Sequence, residues 1–166
     1  ASLDFVRQHK SLLIAGMSGT GKSHIAISLG VLACAEGYRV LYTSSSRMLA
    51  CLHAALATGQ LACALKPYVR AELLIIDEVG LDKPERQAAK ANDASLFYKV
   101  AAGRYDAQRS TILTSNIDWK DWGSHLGDDT TTVAILDRLV HHSYTLTIDG
   151  PSWRAAEHKK LNCSLS

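Results

Sequence analysis

Residues 16 to 23 read Gly16-Met17-Ser18-Gly19-Thr20-Gly21-Lys22-Ser23: two glycines separated by four residues, then a lysine and a hydroxyl side chain. Ahead of them Leu12-Leu13-Ile14-Ala15 forms a short apolar run, and from Lys22 to about Glu36 the apolar residues fall at helical spacing. A strand, a glycine-rich turn and a helix in that order aim the turn's backbone N–H groups at one point, at the positive end of the helix dipole. Such a point stabilises an anion, and glycine lets the main chain approach it closely. The pattern therefore predicts a phosphate cradle spanning Gly16, Met17, Ser18, Gly19, Thr20, Gly21, Lys22 and Ser23. Lys22 is expected to neutralise the β and γ phosphates of a nucleotide, and the Ser23 hydroxyl to ligate Mg²⁺.

The remainder of the chain repeats the alternation. Gly37 stops the first long helix, Arg39-Val40-Leu41-Tyr42 reads as a second strand, and the polar Thr43-Ser44-Ser45-Ser46 can cap a helix running through Leu56. Leu73-Leu74-Ile75-Ile76 is nearly continuous in apolar content, as expected for a central parallel strand covered on both faces. From Val79 to Asp93 the composition turns polar and predicts the longest loop, followed by a helix from Ala94 to Ala107. A strand at Thr111 to Thr114, a short helix at Thr132 to Val140 and a strand at Tyr144 to Ile148 complete the series, which Asp149-Gly150-Pro151 ends. Strands and helices alternating in this way predict an α/β fold, a three-layer sandwich around a mostly parallel five-stranded sheet with right-handed crossovers, and the Gly16–Ser23 cradle makes it a P-loop NTPase sandwich. Ligands of such sheets bind beyond the carboxyl ends of the strands.

That rule gives Asp77-Glu78 a role, because the pair follows the apolar strand directly. Asp77 is expected to hold magnesium, directly or through water, and Glu78 to orient and deprotonate a water attacking the γ phosphate. Thr114-Ser115-Asn116 ends the fourth strand in polar residues. Asn116 reads either as a turn residue or, if its strand neighbours the third, as a side chain reaching the γ phosphate or the water.

Composition bounds the rest. A chain of 166 residues, 47% hydrophobic and 20% charged, is long enough for one substantial core and is expected to form a single domain, residues 1–166. A net charge of +2 tolerates nucleic acid as a partner without demanding it. Cys34, Cys51, Cys63 and Cys163 are too scattered for a zinc or redox motif and are expected to be reduced and mostly packed, which suits the cytoplasm. Every apolar stretch is too short to cross a bilayer, so no membrane association is expected. A chain that begins at Ala1 and enters its first strand almost at once reads as a fragment of something longer.

A phosphate cradle, an Asp-Glu pair and a strand-end asparagine in this order resemble the Walker A, Walker B and sensor 1 elements of the AAA+ ATPases. The chain is more closely similar to the IstB-like helper ATPases of insertion-sequence transposition and the related DnaC helicase loaders. The likeness rests on Gly19 to Ala26, Leu73 to Gly80, Gly103-Arg104-Tyr105-Asp106, Thr114-Ser115-Asn116, Leu136-Asp137-Arg138-Leu139 with His141-His142, and Gly150-Pro151-Ser152-Trp153-Arg154. Met17-Ser18 replaces the proline pair usual in that loop, at positions that contribute backbone N–H groups. On this resemblance, the helical N-terminal part typical of the family is expected to lie outside these 166 residues. The resemblance implies an ATP- and Mg²⁺-dependent ATPase that forms a self-oligomer through its nucleotide sites, assembles on DNA and assists a transposase. It further implies that Arg138 is an arginine finger for a neighbouring subunit and Arg154 a sensor 2 residue near the phosphates; a surface salt bridge is the rival reading of each.

Other readings follow from particular residues. A DnaC-like loader of a replicative helicase is the alternative within the family, and a small-molecule kinase would need an arginine-rich lid and an acceptor pocket that the sequence does not display. A nucleotide-gated binding module with little turnover is disfavoured by Glu78. His141 and His142 point to different sides and have no further metal ligand nearby, Trp119 and Trp122 read as packing anchors rather than base-stacking groups, and Lys83 to Lys90 reads as a solvated run with DNA contact as its functional rival.

Overall fold

The computed structural model describes residues 2–80, 87–117, 122, 129–140 and 143–153. Five apolar segments become strands: β1 (Ser11–Gly16), β2 (Val40–Ser44), β3 (Leu73–Val79), β4 (Ser110–Ser115) and β5 (Ser143–Ile148). Every pairing between them is parallel, in the order β2-β3-β4-β1-β5, so the sheet is parallel throughout rather than mostly. β3 and β4 lie inside the sheet and are buried at successive positions, Glu78 excepted, because helices cover both faces. The chain leaves β1 for β2 at the far edge and later adds β5 on β1's other side. This reversal makes the carboxyl end of β1 the switch point where such sheets open a crevice.

The helices are α1 (Asp4–Arg7), α2 (Lys22–Ala35), α3 (Ser45–Ala57), α4 (Leu61–Arg70), α5 (Gln87–Asp106) and α6 (Asp129–Val140). Alternation along the strands divides the core in two. Leu73, Ile75, Ile14 and Ile112 face α1 and α2 through Phe5, Val6, Ala26, Leu29 and Ala33. Leu74, Ile76, Leu13 and Leu113 face Met48, Leu52, Phe97, Val100, Ile135 and Leu139 of α3, α5 and α6. The result is the expected three-layer sandwich. Among the described residues no helix is long and apolar enough to cross a membrane.

Several boundaries move for local reasons. β3 runs to Val79, so Asp77 and Glu78 lie within its last residues rather than after it. The polar stretch read as a loop to Asp93 is helical from Gln87, where Ala88, Ala89, Lys90 and Ala91 favour helix by propensity. α4 is a helix that the sequence reading does not assign. Its Leu61, Ala64, Leu65 and Tyr68 pack at helical spacing, and Pro67 is tolerated close to its end. α3 starts as expected, with the Ser44 hydroxyl accepting the Arg47 N–H at 3.3 Å.

Cys34, Cys51 and Cys63 are exposed on helix surfaces, not packed, because α2, α3 and α4 bury other faces. Trp122 is buried against Phe97, edge to face with ring centroids 6.1 Å apart, as a packing anchor should be. Trp119, His141, His142, Arg154 and Cys163 lie outside the described residues, as does the Lys83–Arg86 part of the charged run.

Candidate nucleotide site

The loop between β1 and α2 closes on itself through its own polar groups. Gly21 caps α2 at φ 92°, a left-handed conformation that glycine adopts without strain. Thr20 Oγ1 donates to the Met17 carbonyl at 2.8 Å, and the buried Lys22 ammonium donates to the Gly16 and Met17 carbonyls at 2.8 Å each. The lysine head is thus curled into the cradle its loop makes. From the other side, the segment after β5 leans on the loop: Trp153 donates its backbone N–H to the Gly19 carbonyl at 3.0 Å. Gly19, at φ 82°, has no room for a side chain, since a Cβ there would collide with Ser152.

Asp77 is the polar centre. Its carboxylate is 4% exposed and is surrounded by hydroxyl donors: Ser23 on Oδ1 at 2.9 Å, Thr114 also on Oδ1, and Tyr42 on Oδ2 at 2.8 Å. Four elements meet here because β2, β3 and β4 are neighbours and α2 starts directly above them. Burial, and next the hydrogen bond to Asp77, pushes the Tyr42 phenol up to about 12, which keeps it a donor throughout the ordinary pH range.

Glu78 sits at φ 61°, a conformation rare outside glycine, at an irregularity in the β3–β4 register between Ile76 and Val79. Its N–H is held by Thr114 Oγ1 at 2.9 Å, and its side chain is exposed while Asp77 and Val79 on either side are buried. Glu78 therefore faces the cradle. A cavity of about 230 Å³ is lined by Ser18, Gly19, Gly21, Lys22, Ser23, His24, Glu78, Thr114, Asn116 and Trp153. The condition set on Asn116 is met, since β4 neighbours β3 and Asn116 lines the same cavity as Lys22 and Glu78.

Arg138 lies elsewhere. Together with Gln8, His9, Ser11, Arg104, Gln108 and Thr111 it lines a cavity of about 240 Å³ at the amino ends of β1 and β4, the opposite edge of the sheet from the cradle. Its guanidinium donates to the Ala134 carbonyl at 3.2 Å and stacks 4.9 Å from the Tyr98 ring centre. Within one chain Arg138 is not part of the nucleotide site. Of the residues near Arg154, Ser152 and Trp153 do reach the loop.

Tyr42, Thr114 and Trp153 were not singled out as site residues by sequence. Tyr42 reads as a β-former within its strand and Thr114 as one of the polar residues that end the fourth strand, and the contacts that matter are made across strands. Trp153 carried a signal, an aromatic next to an arginine after the final strand, but its place on the cradle depends on β5 pairing with β1.

The Ser23 hydroxyl and Asp77 carboxylate, hard oxygen donors 2.9 Å apart beside a lysine at the head of a helix, fit Mg²⁺ accompanied by phosphate. Comparison with known proteins finds similarity to ATP-binding proteins. The model of the IstB-like ATP binding protein family matches residues 1–161. An ATP-binding protein of insertion sequence IS21 from Pseudomonas aeruginosa is 41% identical over 96% of the chain and 58% of its own length. That of insertion sequence IS5376 from Geobacillus stearothermophilus is 35% identical over 95% and 61%. The chain thus spans about three fifths of these relatives. In fold it is similar to the DnaC helicase loader, with TM-score 0.71 and 21% identity over 88% of this chain and 85% of that one. It is equally similar to domain III of the Thermotoga maritima replication initiation protein DnaA, with TM-score 0.72 and 18% identity over 90% and 60%. The fold is that of the AAA+ P-loop proteins, and by its sequence the chain belongs to the IstB-like ATP-binding protein family.

Proposed function

We propose that this chain is the ATPase domain of an insertion-sequence helper: it binds ATP with Mg²⁺, hydrolyses it, and in the whole protein assembles on DNA and assists a transposase. The observation that carries the ATPase reading is the convergence of Lys22, Ser23, Asp77, Glu78 and Asn116, from three segments, on one cavity and its wall. The loop's N–H groups and Lys22 hold the β and γ phosphates, and Lys22 exchanges its carbonyl contacts for phosphate oxygens. Ser23 and Asp77 would hold Mg²⁺, which when bound would supply charge neutralisation of the phosphates. Asn116 orients a water in line with the γ phosphorus, and Glu78 accepts the proton as the water oxygen bonds to phosphorus and the bond to ADP breaks.

The transposase and DNA parts rest on the insertion-sequence relatives, the self-oligomer on the position of Arg138 away from its own cradle. A neighbour's site is where its guanidinium would find a phosphate. Arg154, two residues after Ser152 on the loop, is the candidate for contact within the chain. The deciding experiment measures phosphate release against protein concentration, with and without duplex DNA. A specific rate that climbs with concentration and with DNA is expected; a flat, DNA-independent rate overturns the assembly reading, and no release at any concentration overturns the ATPase.

A further inference from the structure

Tyr42 stands on the edge strand β2, two residues before Ser44, whose Cα pairs with that of Asp77. Side chains two apart on a strand share a face, so Tyr42 and Asp77 lie on the same side of the sheet, the side of α2. The offset along the strands is about 6.6 Å at ~3.3 Å per residue, a span that a phenol covers and a serine or threonine does not. Its hydroxyl meets Oδ2 of Asp77 at 2.8 Å, while Ser23 and Thr114 both donate to Oδ1. The ring is 48% exposed, so the core gains little from it.

We infer that Tyr42 is a positioning residue for the metal carboxylate: it holds Oδ2 of Asp77 away from the cradle and so presents Oδ1, beside Ser23, to the magnesium ion. This rests on the proposed ATPase reading and extends it. When Ser23 turns a lone pair toward a cation its one proton can still reach Oδ1, but Oδ1 then serves the cation as well as the Ser23 and Thr114 donors. Tyr42 is unaffected by that change because its bond is to the other oxygen. It therefore limits rotation of the carboxylate when the metal site is in use. Groups that orient metal ligands in this manner typically matter by about 10- to 100-fold in metal affinity.

The test is direct titration of a non-hydrolysable ATP analogue into the wild type and Tyr42→Phe, first in EDTA and then across a Mg²⁺ series. The phenylalanine keeps the ring and removes only the donor. Tyr42→Phe should bind the analogue in EDTA as the wild type does and keep a cooperative urea transition at a lowered midpoint, since Asp77 loses one donor, yet need about tenfold more Mg²⁺ for half of the metal-dependent gain in affinity. In a Ser23→Ala background the same change should add little, because the metal site is already incomplete. An identical Mg²⁺ dependence in wild type and Tyr42→Phe overturns the inference while leaving the nucleotide site standing. Equal weakening with and without Mg²⁺ also overturns it, by reducing Tyr42 to a structural residue. A wild type whose analogue affinity ignores Mg²⁺ overturns the metal reading itself.

Discussion

Thr114 Oγ1 accepts the backbone N–H of Glu78 at 2.9 Å while donating its own proton to Asp77. One hydroxyl on β4 thus joins the metal carboxylate to the proposed base on β3, and holds the base in a left-handed conformation that costs a non-glycine residue about 1–3 kcal/mol. Thr114→Val keeps the β-branched shape and removes the hydroxyl. Expected are a stability loss of about 1–3 kcal/mol, for a buried carboxylate and an N–H deprived of a partner, and a fall in kcat well beyond any change in ATP affinity. Denaturant unfolding and steady-state kinetics on the same preparation check this, and an unaltered kcat would show that Glu78 needs no such support.

Lys22 and Glu78 divide binding from chemistry. Lys22→Ala removes the cation of the cradle and should weaken ATP binding by about 10- to 100-fold, the value of a charge-assisted contact. Glu78→Gln keeps the shape but accepts no proton, and should bind ATP normally while turnover falls about 10²- to 10⁴-fold. Calorimetric ATP titration and phosphate release separate the two; full affinity in Lys22→Ala, or full turnover in Glu78→Gln, removes that residue from its role.

The cradle was legible because its chemistry is contiguous: Gly16 to Ser23 carry glycines, lysine and hydroxyl within one turn of chain. Asp77, Glu78 and Asn116 were legible as strand-end polar residues, since a parallel sheet places its site at that edge. Tyr42 and Thr114 were not. Their importance lies in strand order and register, with Ser44 beside Asp77 and β4 beside β3, and neither is written in local pattern. In the fold, α4 is not assigned from sequence although Leu61, Ala64, Leu65 and Tyr68 spell a helical face, and part of its support comes from elsewhere.

That support is Arg104. Although 2% exposed, it donates to the Tyr68 carbonyl at 2.5 Å, the Ala71 carbonyl at 2.9 Å, the Ser110 carbonyl and the Thr111 hydroxyl, closing the end of α4 and joining it to β4. Burial, with Arg109 nearby, pushes its pKa down to about 9, so it remains charged at neutral pH. Arg104→Met should destabilise the chain by at least about 3 kcal/mol, as several carbonyls lose their donor together. Arg104→Lys should rescue little, because an ammonium cannot span the positions reached by a planar fork. Urea midpoints for both variants test the claim, and a stable methionine variant would make the arginine dispensable to the fold.

Arg138 tests the assembly. In one chain it touches only the Ala134 carbonyl and the Tyr98 ring among the contacts described, at the sheet edge opposite its own cradle. Losing the ring contact costs about 0.5–1 kcal/mol at such a site, too little to unfold the domain or disturb Lys22, Ser23 and Asp77. Arg138→Ala should therefore bind ATP as the wild type does. If the guanidinium completes a neighbour's site, hydrolysis should nevertheless fall by roughly 10³- to 10⁵-fold, the range for a finger supplied in trans. Mixing makes the trans element explicit. Glu78→Gln subunits are inert in hydrolysis but retain Arg138, so an excess of them should restore part of the turnover of Arg138→Ala subunits across mixed interfaces. Phosphate release at several mixing ratios, alongside a sizing measurement that shows mixed assemblies, is the readout. Absence of rescue where mixed assemblies form removes the trans role, and wild-type turnover by Arg138→Ala alone leaves Arg138 as a residue that packs α6 against α5.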